Sequence, residues 1–173
     1  MKKYLYLVAI ALVSCGVVLS SCSDDKISGD SIFSTKAVER NAFDQWLYKN
    51  YTMPYNIDFQ YRLKTEETEQ AYNFVPADSA KTVKLAILTK YMWFDAYAET
   101  VGLDFIKENA PRIILVTGTP GYTRYRTEVI GSAEGGYKVR LGKVNALTDD
   151  QLKDYGSMNN YYFHTMHLSL IHI

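Results

Sequence analysis

A dense run of apolar and β-branched residues, PRIILVT at 111–117, leaves the fewest options for the fold. β-Branched side chains pack well on a pleated surface, so this run predicts a buried strand. Residues 56–64 alternate strictly between polar and apolar side chains, which predicts a second strand with one buried face. The chain is therefore expected to form a sheet whose apolar surface is covered by other elements.

Helical periodicity precedes each of these two strands. Residues 36–49 predict a helix, and Pro54 is expected to prevent its continuation. Residues 80–100 repeat apolar side chains at helical spacing, and Asp78 or Ser79 supplies the N-cap. The sequence thus predicts one helix before the first strand and a longer helix between the two strands.

The C-terminal third predicts a hairpin and a final helix. Residues 127–130 and 137–144 are interpreted as two strands, joined by a turn in the glycine-rich segment 131–136. Asn159 or Asn160 is expected to cap the last helix. Taken in order, these elements predict an α+β fold in which a mixed sheet packs against helices.

The N-terminus has the composition of an exported protein. Two lysines follow the first methionine, residues 4–19 carry no charge, and the apolar run ends in Leu19-Ser-Ser-Cys22. This pattern is typical of a secretory signal peptide. Leu-Ser-Ser-Cys resembles a bacterial lipobox, so residues 1–21 are the expected signal peptide and Cys22 the lipidated first residue of the mature protein. A transmembrane anchor is the alternative interpretation.

Residues 22–34 are polar and are expected to form a tether. Within it, Ser23-Asp-Asp25 resembles the export signal that sends Bacteroidetes lipoproteins to the outer face of the outer membrane. The alternative is a tether without a sorting role. With Cys15 removed and Cys22 lipidated, the mature protein has no disulfide, and residues 35–167 must fold by core burial alone.

Charge and motifs exclude several classes of function. Without its two N-terminal lysines the chain has 17 basic and 19 acidic side chains, and no basic stripe is present. This balance argues against nucleic-acid binding. No Gly-x-Ser-x-Gly elbow occurs, and the glycine-rich segment is not followed by Gly-Lys-Ser/Thr, as a phosphate-binding loop would be.

All three histidines lie near the C-terminus, in Tyr161-Tyr-Phe-His-Thr-Met-His167 and Leu168-Ser-Leu-Ile-His-Ile173. The first of these segments, with the Leu-Ser-Ser-Cys-Ser-Asp-Asp head, resembles the zinc-binding metallopeptidase lipoproteins of Bacteroidetes. Those proteins are also described as substrate import-associated zinc metallohydrolase lipoproteins. In that family the helix continues as Met-His-His-Glu-Phe-x-His-Ile. Its His-Glu-x-x-His motif places two zinc ligands on one helix face, with glutamate as general base for a zinc-bound water.

This chain departs from the family pattern at the motif itself. Leu168 and Ser169 stand where the resemblance places the first histidine and the glutamate. Residues 168–173 are what CTGTCTCTTATACACATC encodes, a string that resembles a transposon-end sequencing adapter. We therefore expect residues 168–173 to be a non-native tail, read through from library DNA. A genuine C-terminus on a degenerate family member is the alternative.

The resemblance implies a fold, a cofactor and a location. Residues 35–167 would be the incomplete N-terminal half of a zincin-like metallopeptidase domain, inactive as a fragment. The full-length parent would bind Zn²⁺, cleave peptides or another small polymer, and work beside a TonB-dependent importer. Its N-terminal lipid would hold it in the outer membrane, facing the cell exterior. His167 is a candidate zinc ligand or a neighbour of the first ligand.

Three alternatives stay open at this stage. His164 and His167, three residues apart on one helix, form either a weak metal pair or a surface pair of neighbours. The strand at 137–144 is either an edge strand that pairs with a substrate backbone or an ordinary interior strand. The protein itself is either the enzyme fragment or a non-catalytic glycan- or peptide-binding lipoprotein. For the last alternative, five of the 15 tyrosines are candidates for a stacking surface: Tyr48, Tyr51, Tyr55, Tyr122 and Tyr125.

Overall fold

The computed structural model of the chain describes residues 39–64 and 73–171. The predicted signal peptide, the tether with Cys22, and His172 lie outside these described residues. Arg40–Ile173 form one compact unit. Among the helices in the described part of the chain, none has the length and apolar character needed to cross a membrane.

Four strands form the main sheet, in the order β1-β2-β6-β5. They are β1 (Asp58–Gln60), β2 (Ile113–Val116), β5 (Gly131–Glu134) and β6 (Lys138–Leu141). The first two pair in parallel with each other, β2 pairs in parallel with β6, and β5 runs antiparallel to β6. Two further strands, β3 (Gly121–Tyr122) and β4 (Glu128–Val129), form a separate antiparallel pair. The predicted α+β architecture with a mixed sheet is confirmed.

One face of the sheet carries the hydrophobic core. Phe59, Ile114 and Val139 lie side by side in register on this face, and all three belong to the core cluster. Helical side chains cover them, among them Trp93, which is fully buried. Full burial of one such large apolar side chain contributes about 1.5–3 kcal/mol. Because the side chains of a strand alternate between the two faces of the sheet, this gain favours packing of the helices on the apolar face.

The first helix does not stop before Pro54, so that prediction is wrong. Helix α1 (Ala42–Leu47) continues through a π-helical turn (Tyr48–Thr52) into the single turn α2 (Met53–Tyr55). The π turn places Pro54 in the first turn of α2, where a missing N–H is tolerated. The helix ends instead at Asn56, whose φ of 56° is left-handed.

The long helix is confirmed in extent and in its cap. Helix α3 (Ser79–Thr89), a π-helical segment (Lys90–Asp95) and α4 (Ala96–Thr100) form one continuous rod, followed by α5 (Leu103–Asn109). The Lys81 backbone N–H donates to Asp78 Oδ1 over 2.9 Å, so Asp78 is the N-cap.

The predicted hairpin has the wrong register. The glycine-rich segment was expected to be a turn, but Gly131–Glu134 is strand β5, and it is β5 that forms the hairpin with β6. The turn is confined to residues 135–137, and the φ angles of Gly135 and Gly136, 53° and 70°, favour glycine. Strand β4 pairs with β3 instead. Since β6 is bonded on both sides, the structure supports the second of the two alternatives for 137–144, an ordinary interior strand.

The last helix begins a turn earlier than predicted. Helix α6 (Tyr155–Ile171) starts after Asp154, whose carboxylate accepts hydrogen bonds from the backbone N–H groups of Gly156 and Ser157. Asn159 and Asn160 therefore lie inside the helix. Bonds from Ser157 and Gly156 favour the ionised carboxylate and lower the pKa of Asp154.

Candidate functional site

Helix α6 carries His164 and His167 and lies against strands β5 and β6. The helix approaches β5 closely at Gly131, where an added β-carbon would lie 2.1 Å from Thr165 Oγ1. Only glycine permits this distance, because a side chain would occupy the space of the threonine. Gly131 thus allows the histidine-bearing helix to rest directly on the strand backbone.

His167 is held by an aromatic residue of another helix. Its Nδ1 lies 2.7 Å from Tyr97 Oη, and the two rings are 5.5 Å apart between centroids. The Tyr97 ring also stacks on Phe105. The imidazole is half-buried, and its burial lowers the pKa of His167, as does the nearby His164. His167 is therefore a packed imidazole that joins α6 to α4.

The described residues do not provide a zinc site. Zinc sites in proteins use three or four side-chain ligands. Within residues 39–64 and 73–171, no group of three or more His, Cys, Asp or Glu side chains is placed to hold a metal ion. His164 is exposed on α6, three residues before His167. The role of either histidine as a ligand stays a prediction.

The two motif positions lie within a regular helix. Backbone of α6 is helical through Ile171. Ser169, where the sequence resemblance would place a glutamate, is buried, and its hydroxyl donates to the Met166 carbonyl over 2.7 Å. A hydroxyl bonded within its own helix supplies no carboxylate for proton transfer.

Strand β5 is an edge strand, and it lies next to α6. The Gly142 N–H bonds to the Ile130 carbonyl, and the Tyr137 N–H to the Glu134 carbonyl. Because antiparallel strands alternate inward and outward groups, the main-chain N–H and C=O groups of Gly131 and Ala133 point away from β6. No other strand in the described part of the chain pairs with this outer side. The edge can therefore accept an added extended peptide.

The proposed tyrosine surface is divided between core and exterior. Tyr51 and Tyr55 are buried in the core, and the Tyr51 hydroxyl donates to the Ala86 carbonyl over 2.7 Å. Their assignment to a stacking surface is wrong, because both rings pack against Phe94 in the core. The other three, Tyr48, Tyr122 and Tyr125, are exposed.

Sequence reasoning missed two residues that organise this region. Tyr97 falls on the apolar repeat of the long helix, which indicates a core position. No local signal indicates a hydrogen bond to a histidine 70 positions away. Gly131 looked like part of a turn, because glycine is rare inside strands. A glycine separated by three residues from a Gly-Gly pair is the only signal that favoured a strand here.

Comparison with known proteins supports the resemblance seen in the sequence. Residues 36–173 match a family described as putative zinc-binding metallo-peptidases. The crystal structure of a putative zinc-binding metallo-peptidase from Bacteroides caccae is similar, with 41% identity and a TM-score of 0.57. The match covers 82% of this chain and 52% of that one, so the chain spans about half the length of the solved protein. No curated protein matches the chain.

Proposed function

We propose, because the chain belongs to the family of zinc-binding metallo-peptidases, that it derives from a lipid-anchored surface protein whose intact parent hydrolyses peptides. The observation that carries the proposal is the contact between Gly131 and Thr165, which sets an open strand edge beside the helix of the family's zinc motif. A peptide paired with β5 would lie along α6. Extended peptides commonly bind proteins by adding a strand to such an edge.

The chain in its present form is proposed to be inactive. Leu168 supplies no nitrogen ligand and Ser169 no carboxylate, so the zinc chemistry of the family cannot take place on these residues. The described residues do not fit the metal. We therefore assign no catalytic step to them.

A gain-of-binding experiment tests this assignment. The variant Leu168→His with Ser169→Glu recreates His-Glu-x-x-His with His172. Its two imidazoles are fewer than the three or four ligands of a complete protein zinc site, so it should retain less than one zinc per chain, measured by atomic absorption after dialysis. The unaltered chain should retain none. Leu168→Asn with Ser169→Gln is the matched control, since it adds polar groups without a ligand set. Zinc retained by the control, or no zinc in the double variant, would contradict the position assigned to the motif at residues 168–172.

The tail at 168–173 is proposed to be non-native, as its resemblance to an adapter implies. Sequencing the gene from native DNA across codon 167 tests this directly. Continuation as His-Glu-x-x-His supports the peptidase parent. An unbroken Leu-Ser-Leu-Ile-His-Ile codon series contradicts the adapter origin.

Cys22 is proposed to carry the lipid that holds the protein in the outer membrane, facing outward beside a TonB-dependent importer. Labelled palmitate should enter the protein, and Cys22→Ala should abolish the labelling. Cys15→Ala is the matched control and should retain it. Protease treatment of intact cells should remove the wild-type protein, and co-purification after crosslinking should recover the importer. Label that persists in Cys22→Ala contradicts the anchor.

Non-catalytic binding is the second candidate function. The exposed rings of Tyr122 and Tyr125 favour it, because both lie on the β3–β4 hairpin rather than in the core. Zinc content of the intact parent separates the two candidates. A peptidase of this family should contain about one zinc per chain, whereas a binding module needs none.

A further inference from the structure

The hairpin formed by β3 and β4 projects an exposed tip of five residues, 123–127. Three consecutive long side chains occupy it, those of Arg124, Tyr125 and Arg126. The Tyr125 side chain is 74% exposed, the largest exposed fraction among the apolar and aromatic residues in the described part of the chain. Such a set of guanidinium and aromatic groups is enriched where proteins bind other molecules.

Thr123 makes this tip rigid. Its N–H donates to the Thr127 carbonyl over 2.9 Å, and its carbonyl accepts from the Arg126 N–H over 2.8 Å. Its hydroxyl accepts from the N–H groups of Tyr125 and Thr127, both at 3.2 Å. A preordered loop loses less conformational entropy on binding than a flexible one.

Arg126 has a left-handed backbone, with φ at 62°. This backbone conformation is unfavourable for residues other than glycine, asparagine and aspartate. Backbone strain of this kind is concentrated at functional sites. No ion pair with Arg126 occurs among the described residues. The turn thus presents a guanidinium at a position where glycine would be the less strained residue.

The charges of the hairpin are unbalanced. Glu128 is its single acidic residue, and this carboxylate is paired with Lys143. The Arg124 guanidinium lies 4.6 Å from the centre of the Tyr125 ring and donates to the tyrosine hydroxyl over 2.6 Å. Stacking orients this guanidinium without neutralising it. The tip thus carries two positive charges, of which that of Arg124 is oriented by stacking, and they can receive carboxylates, which arginine binds in a bidentate manner.

The hairpin is anchored to the sheet and continuous with its edge. Buried Arg140 fills the space beside Gly121, where an added β-carbon would lie 3.0 Å from Nη2, and its Nη1 lies 3.5 Å from the Val129 carbonyl. A single residue, Ile130, joins β4 to β5. A peptide that leaves β5 at Gly131 therefore meets the hairpin. Main-chain pairing along β5 favours a polypeptide over a charged polysaccharide, which has no such backbone.

We propose that the β3–β4 hairpin recognises the carboxylate side chains of an extended acidic polypeptide, through Arg124 and Arg126. The inference rests on the proposed function in one respect, the pairing of that polypeptide with β5. It assigns the substrate class as acidic peptides.

Binding to the full chain in mild detergent tests the proposal. The probe is a fluorescein-labelled peptide of alternating Glu and Val, compared with its Gln-Val counterpart by fluorescence anisotropy. The acidic peptide should bind at least tenfold more tightly, and the variant Arg124→Gln with Arg126→Gln should abolish this difference. Lys107→Gln with Lys153→Gln removes the same charge at exposed sites elsewhere and should retain it. Equal loss in both variants, or equal binding of the two peptides, overturns the proposal.

Two further comparisons separate the possible failures. Ala133→Pro removes an outward N–H from β5 without breaking a bond to β6, and it should weaken both peptides equally. If Ala133→Pro binds both peptides as the wild type does, pairing with β5 is wrong and the proposed function loses its support. Persistence of the acidic preference in the arginine variant overturns the hairpin assignment alone. Polygalacturonate that competes as well as poly-glutamate shows that the ligand is not specifically a polypeptide and overturns the assigned class.

Discussion

Tyr97 Oη lies 2.7 Å from His167 Nδ1, so helix α4 and helix α6 are hydrogen-bonded to each other across 70 positions of the chain. Both partners also belong to a line of aromatic contacts, from Phe105 through Tyr97 to His167. Helix α6, which carries His167, is thereby attached to the C-terminal half of the long helix. The position of the His167 ring depends on this attachment.

Removal of the Tyr97 hydroxyl should loosen α6. In Tyr97→Phe the ring and its stacking on Phe105 are kept, while the hydrogen bond to His167 is lost. The free energy of unfolding should fall by about 1 kcal/mol, the usual contribution of one such bond. Urea denaturation followed by circular dichroism measures the change. Tyr125→Phe is the control and should leave stability unchanged, so an equal loss there argues against a specific role for Tyr97.

The stability of the protein should decrease in mild acid because of His167. Burial lowers its pKa below the ordinary value of about 6.5, so the unfolded state binds the proton more readily than the folded state. This contribution to stability is complete above pH 6.5 and decreases as the pH falls through that value. His167→Asn should lose less stability than the wild type between pH 7 and pH 5, in denaturation curves measured at each pH. Parallel curves for the two proteins contradict the shift.

Gly131→Ala should destabilise the contact between α6 and β5. The new methyl group would lie 2.1 Å from Thr165 Oγ1, and overpacking of this kind costs about 1–3 kcal/mol. A second change, Thr165→Ala, should recover part of the loss. Gly156→Ala, in the first turn of α6, meets no atom closer than 3.6 Å and should be neutral or stabilising. Thermal unfolding of the four proteins tests the series, and the absence of any recovery in the double variant contradicts the close contact.

Tyr162→Phe should also destabilise the fold, for a different reason. The fully buried Tyr162 hydroxyl donates to the Gly142 carbonyl over 2.8 Å. Its burial raises the pKa of the phenol far above the usual range, so the group stays a donor. Removal leaves the carbonyl without this partner at a cost of about 1–3 kcal/mol. The exposed Tyr137 gives the control Tyr137→Phe, for which a comparable loss in chemical denaturation is not expected.

Local sequence determined the elements that depend on neighbouring residues. The β-branched run at 113–116 forms strand β2, because its side chains suit a pleated, buried surface. Asp78 caps the long helix because its carboxylate accepts a hydrogen bond from the backbone N–H of Lys81, three residues further on. The histidine-containing segment and the lipobox-like head were sufficient to indicate the family, since their residue types carry the resemblance.

Tertiary structure decided the features in which distant residues meet. Pro54 does not end the first helix, because a π-helical turn carries Tyr51 into the core and the proline to a position that tolerates it. Gly131 became a strand residue rather than a turn residue, since α6 rests on it and glycine alone leaves the room. Because Gly131–Glu134 forms strand β5 and pairs with β6, β5 rather than β6 is the edge strand of the sheet. Local propensity acts over a few residues, whereas packing of α6 on the sheet joins residues dozens of positions apart, and so only the folded chain selects among the local alternatives.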